Sequence, residues 1–495
     1  MAPLASPSLP EGIFSFLDTD LYKLTMQCAI LKYFPDVEVT YEFTNRTSDM
    51  KLNRIAFHWL QIQIEKLGNI TTSDDEIKYL RNTCRYLSDQ YLRYMKDFRL
   101  RPSEQVELSF HPIEDTDSED DCGDVVLRIK GLWVETILYE IPLLALTSEA
   151  YFKFVDRDWD YHGQVDNAKR KGLVLLEHGC IFSEFGSRRR RDYHTQELVM
   201  EGLLRAATEG VQNGFPGKFT GTSNVHFAKK FGVSPVGTVA HEWFMGVAAV
   251  TNDYENASEV ALRYWIGTFG EGVLGIALTD TFGTAHFLEA FKKPIPTYTS
   301  ASQGPTATSA PMAGSTTVPS RETLSQTQPP LRAPPKHDSR LARKERTYAE
   351  VFTGTRQDSG DPKEFVKTMR KFYDQEGIQG KKIIVFSDSL NVERCLEYKD
   401  AADEAGFQPS FGVGTFFTND FVRLESGKKS IPLNIVIKLS SAGGRPAIKL
   451  SDNIGKNTGD KDMVEDVKQR VGYVEQEWKD GDEKSRWGVE GDKPT

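Results

Sequence analysis

At 495 residues the chain is long enough for two or three domains and a large core, and its hydrophobic (39%) and charged (27%) fractions are those of a soluble globular protein. A formal net charge of −10 argues against nonspecific binding to nucleic acid or an anionic membrane, so any anionic ligand must be met by local basic clusters. Cys28, Cys84, Cys122, Cys180 and Cys395 show no CxxC or His/Cys metal spacing, and no apolar run reaches the roughly 18 residues of a membrane helix, so no disulfide framework, zinc site or membrane span is expected.

In chain order, residues 1–12 are rich in Pro and Ser, lack the basic and apolar regions of a secretory signal, and read as a tail of a cytoplasmic or nucleocytoplasmic protein. Residues 13–150 read as an N-terminal α+β domain. Within it, 18–34 is a helix that Asp18, Thr19 or Asp20 can cap. Leu21, Leu24, Cys28 and Leu31 form one apolar stripe and Tyr22, Met26 and Ile30 a second, so the helix is expected to be buried on most sides. Tyr22 therefore has a core reading beside a functional one. Residues 37–45 alternate like a strand, 59–67 and 73–97 read as helices, the acidic stretch 114–121 as a solvated loop, and 125–146 as two strands turned at Gly131.

From about residue 173 short apolar runs alternate with helical segments. The runs are LVLLEHG, IFSEFGS, KFTGTS, VGTVAHE, GVLGIALTD, VFTGT, KIIVFSDS, PSFGVGT and NIVIKLSS, with helices between them such as 194–207 and 362–373. Such spacing implies parallel βαβ units, and seven or eight of them suggest a closed or partly closed (β/α) barrel over 151–460. Residues 298–346 interrupt it with Ser, Thr, Pro, Ala and Gln, a composition that cannot bury enough apolar surface to offset chain entropy, and are expected to be a disordered insertion. Its basic end, RLARKER, has a nuclear-import reading. Residues 461–495 read as a charged helix and a polar tail.

The chemistry gathers at the ends of these runs. Residues 236–240 read as a strand that delivers His241 and Glu242 to a loop, where ligands bind in parallel α/β architectures. A lone histidine is more often structural, and neighbouring loops shift that balance. EFGSRRRR places Arg188 to meet an anion bidentately and Phe185 to offer a face to a flat ring. LTDTFGT brings Asp280 among hydroxyls. GTRQDSGDP carries Arg356, Asp358 and Asp361, acids that can accept from ribose hydroxyls or hold Mg²⁺ through water. FSDSLN and FGVGTFFT supply backbone N–H groups suited to phosphate.

These strings, together with TDLYKLTM, TGTSN, GTVAHEW and KLSDNIGKNTGD, make the chain resemble the nicotinate phosphoribosyltransferases of the eukaryotic, fungal-like type, over about residues 14–460 apart from the insertion. The resemblance implies the incomplete (β/α) barrel of type II phosphoribosyltransferases with an N-terminal α+β domain, and a homodimer with shared active sites. It implies conversion of nicotinate, PRPP, ATP and water to nicotinate mononucleotide, ADP, phosphate and pyrophosphate, with Mg²⁺ accompanying PRPP and ATP and no protein-held metal.

Carried onto this sequence, the resemblance makes His241 the transiently phosphorylated histidine, oriented by Asp280 with Glu242 as a rival. Tyr22 from the partner subunit and Phe185 would sandwich the pyridine, Arg188 or Arg356 would meet anionic groups, and Thr238 would lie near the nicotinate. Asp358 fits the ribose hydroxyls of PRPP, and Ser387, Asp388, Gly412, Gly414 and Thr415 its phosphates. Where nicotinamide enzymes place an acid after the Gly-Thr of TGTSN, this chain has Ser223 and Asn224, which can donate to a carboxylate and so favour nicotinate. Nicotinamide or quinolinate transfer on the same fold, or a catalytically silent sensor of NAD precursors, remain the alternative readings.

Overall fold

The structure is a computed structural model that describes residues 9–296, 345–453 and 457–474. Two six-stranded sheets frame it. In the first, Glu38–Asn45 lies between Ile435–Ala442 and Cys122–Leu132, antiparallel to both, with Phe43 opposite Ile437 and Tyr41 opposite Ile129. Val106–Pro112 and Leu52–Asn53 extend it along Cys122–Leu132, and Arg445–Pro446 closes the other edge. Alternation in these strands buries Val39, Tyr41, Leu127, Ile129, Ile435, Ile437 and Leu439.

The second sheet is wholly parallel, in the order Lys218–Thr222, Ile181–Glu184, Gln408–Val413, Ile383–Phe386, Gly354–Gln357, Ile276–Leu278. Its two outer strands do not pair with each other, so the barrel is incomplete. Six of the nine apolar runs supply these strands; the other three do not. LVLLEHG ends the helix Gln164–Glu177, whose buried Ala168, Lys171, Gly172, Leu175 and Leu176 recur at helical spacing. A short apolar run alone does not distinguish the two states. Residues 236–240 form a loop, not a strand: the segment lies against the helix Leu21–Tyr33, where a Cβ added at Gly237 would sit 3.2 Å from Tyr22 N and Thr25 Oγ1 donates to Thr238 O at 3.1 Å. NIVIKLSS becomes Ile435–Ala442 of the antiparallel sheet.

The N-terminal half departs from expectation in two places. Residues 73–97 split into Asp74–Thr83 and Asp89–Asp97 because Ser88 caps a second helix, accepting from Tyr91 N at 3.1 Å. Residues 125–146 give one strand and then the helices Trp133–Thr136 and Glu140–Phe154. The latter buries twelve consecutive residues, Ile141 to Phe152, so it lacks the polar stripe that would betray a helix, and it runs through position 150, where the sequence reading ends the N-terminal domain. Leu21–Tyr33 is a helix buried on most sides, as expected.

Of the insertion 298–346, all but Glu345 and Arg346 lies outside the described residues, as do the tails 1–8 and 475–495. Ile295 N donates to Arg346 O at 2.9 Å. Lys461–Val471 is helical, and no described helix is long and apolar enough to cross a membrane.

Candidate active site

A cavity of about 310 Å³ opens at the carboxyl ends of the parallel strands. Phe185 and Arg188 follow one strand, Arg356 and Asp358 end a second, Ser387 and Asp388 follow a third, and Gly414 and Thr415 a fourth. The opposite wall is the antiparallel strand Ile435–Ala442, joined by Tyr22, Glu140 and His241 from three helices. Six basic side chains (Arg46, Arg188, Arg189, Arg356, Lys438, Lys449) line it against four carboxylates (Glu140, Glu242, Asp358, Asp388). In a chain of net charge −10, this is a local concentration of positive charge suited to a polyanionic ligand.

His241 opens the helix His241–Thr251, where exposed backbone N–H groups and the helix dipole favour a neutral ring and an incoming anion. Its Nε2 lies 3.0 Å from Asp358 Oδ2 and its Nδ1 3.0 Å from Thr281 Oγ1. Burial, and then the charge of Lys449, hold the imidazole below its ordinary pKa despite the neighbouring carboxylates. Burial alone would raise Asp358, but Arg356, the His241 ring and Lys449 together hold it well below the usual carboxylate range. An ionised Asp358 only accepts, so the neutral ring carries its proton on Nε2, leaving the Nδ1 lone pair on the Thr281 side.

Asp358 is thus the carboxylate nearest His241. Asp280, the expected partner, stands 3.7 Å from Nε2 and accepts from the Ser359 hydroxyl. Glu242, the rival, accepts instead from Tyr41 Oη at 2.6 Å and Trp133 Nε1 at 2.9 Å, and from Lys23.

Tyr22 and Phe185 both line the cavity, and the Arg188 guanidinium lies 5.6 Å from the Tyr22 ring centre. The Tyr22 that lines the cavity belongs to the same chain as the rest of the lining. Its buried hydroxyl has no hydrogen-bond partner among the described residues. Arg356 is committed, donating to Asp358 Oδ1 and Ser387 Oγ at 2.7 Å each. Among the described residues Arg188 has longer contacts, 3.6 Å to Glu140 and 3.9 Å to Asp20, so of Arg188 and Arg356 it is the one able to take a new carboxylate.

Four expected ligand contacts point elsewhere. Ser223 Oγ donates to Asp20 at 2.7 Å, and Asn224 Nδ2 donates to Asp18 at 2.7 Å while its Oδ1 caps the helix Val225–Phe231. Both side chains are buried and neither lines the cavity. Thr238 is outside the lining, its carbonyl taken by Thr25. Gly412 serves the Phe185 ring rather than phosphate: a Cβ there would sit 2.5 Å from Phe185 Cδ2. Conversely, sequence reasoning missed Arg46, Lys438, Lys449 and Glu140. Lys438 was signalled by a lone lysine within the apolar strand Ile435–Ala442, whereas Arg46 and Lys449 carry no local signal.

His241, Asp280 and Asp358 each bring a ligand atom to within 4.8 Å of the others. Asp280 Oδ1 is buried without a hydrogen-bond partner among the described residues. Burial and the Asp280 charge push the nearby Asp452 carboxyl up to about 6. A hard divalent cation held through carboxylate oxygen fits this arrangement.

The chain matches two family models: the nicotinate phosphoribosyltransferase N-terminal domain over residues 17–148, and the nicotinate phosphoribosyltransferase family over residues 180–303 and 322–475. It is similar to the nicotinate phosphoribosyltransferase of Saccharomyces cerevisiae, 42% identical over 484 residues, covering 96% of this chain and 99% of that one. A crystal structure from Saccharomyces cerevisiae matches with a TM-score of 0.80 at 42% identity, covering 94% of this chain and all (100%) of that chain. The Porphyromonas gingivalis nicotinate phosphoribosyltransferase matches at 0.73 and 29% identity, covering 93% and 100%.

Proposed function

The chain belongs to the nicotinate phosphoribosyltransferase family, and on that premise we propose that its cavity transfers the phosphoribosyl group of PRPP to nicotinate with a phosphorylated His241 as the link to ATP. As a nicotinate phosphoribosyltransferase it acts in NAD salvage. The observation that carries the histidine relay is the pair of 3.0 Å contacts that fix the ring between Asp358 and Thr281 at a helix N-terminus.

The nicotinate ring fits between Tyr22 and Phe185, with its carboxylate on Arg188 and the Tyr22 hydroxyl available as a donor. PRPP then extends along the strand ends past Ser387, Asp388, Gly414 and Thr415, with Arg46, Arg189, Lys438 and Lys449 facing its charge. In transfer, the C1–O bond to pyrophosphate breaks as the pyridine nitrogen bonds to C1. Charge on the departing pyrophosphate is the term a basic cavity stabilises best. Mg²⁺, which Asp280 and Asp358 are suited to hold, would supply further charge neutralisation there.

In the coupling half-reaction, the neutral His241 attacks the γ-phosphorus of ATP through Nδ1, the P–O bond to ADP breaks, and Asp358 stabilises the imidazolium that forms. Water later takes the phosphoryl group. Histidine phosphorylation sets a charged group beside the PRPP site, which gives ATP a route to improve a transfer that proceeds without it.

Formation of nicotinate mononucleotide from nicotinate and PRPP, with and without ATP, tests this. Wild type should be stimulated by ATP and His241→Ala should retain only the slower ATP-independent rate. ATP stimulation that survives the substitution removes the histidine from the mechanism.

A further inference from the structure

With Ser223 and Asn224 turned inward, discrimination between a pyridine carboxylate and its carboxamide must rest on the groups around Arg188. One of them is a hazard. Glu140 lines the cavity with Oε1 3.6 Å from Arg188 Nη1. An unbalanced carboxylate there repels the carboxylate of nicotinate and accepts a hydrogen bond from the NH₂ of nicotinamide, which is the wrong selectivity.

Behind Glu140 the chain buries a lysine. Lys23, 0% exposed, bonds both Glu140 Oε2 and Glu242 Oε2. Burial would lower its pKa, but the two glutamates raise it above the ordinary lysine value, so the ammonium stays charged. The two carboxylates do not depend on it equally. Glu242 keeps Tyr41 and Trp133 as donors at 2.6 and 2.9 Å, whereas Glu140 has, among the described residues and besides Lys23, only the longer Arg188 contact. Loss of the Lys23 charge therefore falls on Glu140 and on the cavity wall. Asp20, on the Nε side of Arg188 at 3.9 Å, already accepts from Ser223 and does not change in this comparison.

We propose that Lys23 is a positioning residue that determines specificity: from behind the wall it neutralises Glu140, leaving Arg188 free to bind a nicotinate carboxylate and withholding Glu140 from a carboxamide. Lys23 touches no substrate. The proposal rests on the reading of Arg188 as the carboxylate anchor.

The test measures kcat and KM for nicotinate and for PRPP, and inhibition by nicotinamide, in full-length wild type, Lys23→Met, Glu140→Gln, the double variant and Arg188→Gln. Lys23→Met should raise the nicotinate KM by about ten-fold, the scale of one unscreened like charge, leave the PRPP KM nearly unchanged and strengthen nicotinamide inhibition. Adding Glu140→Gln should return the nicotinate KM toward wild type, and Glu140→Gln alone should lower it. Where Lys23→Met does not fold, the single Glu140→Gln variant decides, since it keeps the lysine. Equal loss for both substrates without rescue, or weaker nicotinate binding in Glu140→Gln, overturns the proposal. If Arg188→Gln leaves the nicotinate KM unchanged, the anchor reading itself is wrong. If it raises KM while the Lys23 and Glu140 variants do not respond as stated, the Lys23 proposal alone falls.

Discussion

At the scale of single residues, the account turns on how His241 is held. Asp358 accepts from Nε2–H and fixes the tautomer, so Asp358→Asn, whose amide can present either a donor or an acceptor, should slow phosphoenzyme formation by about a thousand-fold while leaving the protein folded. A single-turnover assay with ATP measures this. Phosphate should sit on Nδ1, which NMR of the phosphoenzyme distinguishes from Nε2. Burial and Lys449 keep the ring pKa below the ordinary 6.5, so the acid limb of the phosphorylation rate should lie below pH 6.5. Lys449→Met removes an influence that lowers the ring pKa, and the limb should move up toward neutrality; a limb that stays put would show that Lys449 does not act on the ring.

At the scale of elements, the helix that carries His241 packs closely against an aromatic cluster. Phe34, Trp133 and Trp243 pack with ring centres 5.8 to 6.0 Å apart, and Gly246 lets the helix His241–Thr251 approach the Trp133 ring. An added Cβ at Gly246 would lie 2.1 Å from Trp133 Cη2. Gly246→Ala should therefore cost about 1–3 kcal/mol from overpacking, offset in part by about 1 kcal/mol of helix propensity, and should slow phosphorylation by moving the ring. Thermal unfolding and the single-turnover rate report the two effects separately. Helix Leu21–Tyr33 and the six parallel strands were legible because their apolar spacing and flanking turn residues agree. Other segments were not, three of them for telling reasons. Residues 236–240 are apolar enough for a strand but are captured by a helix surface, Glu140–Phe154 is buried all round and so has no period to read, and Ile435–Ala442 pairs with Glu38–Asn45, nearly 400 positions away. Local pattern reports burial, not the partner. For the same reason Asp280 and Asp358 were readable from strand-end position and His241 only from an apolar run that forms no strand, while Ser223, Asn224 and Gly412 satisfied a motif yet spend their contacts inside the fold.

At the scale of the whole molecule, one chain brings Tyr22, Phe185, Arg188 and His241 to one cavity. Specific activity should then be independent of enzyme concentration on dilution; a concentration-dependent loss would show that a second copy is required. Ile295 N meets Arg346 O at 2.9 Å, so replacing residues 297–344 with a short flexible loop should preserve kcat/KM, since closing a shorter loop carries little entropic penalty. Stability should also carry a pH signature from Glu149. Burial, and then the charge of Asp192, raise this carboxyl from 4.5 to about 8, while its Oε1 accepts from Gly12 N at 3.0 Å. Between those values the folded state keeps a proton that the unfolded state releases, so stability falls as pH rises across the window. Glu149→Gln should be more stable than wild type above about pH 8 by a few kcal/mol, with the gap closing as pH falls toward 4.5.

The most direct test of the central claim is protein labelling by ATP carrying a labelled γ-phosphate. The account predicts an acid-labile, base-stable label on wild type that is discharged by nicotinate with PRPP and is absent from His241→Ala. A label that persists in that variant, or product formation stimulated by ATP with no label at all, would contradict it.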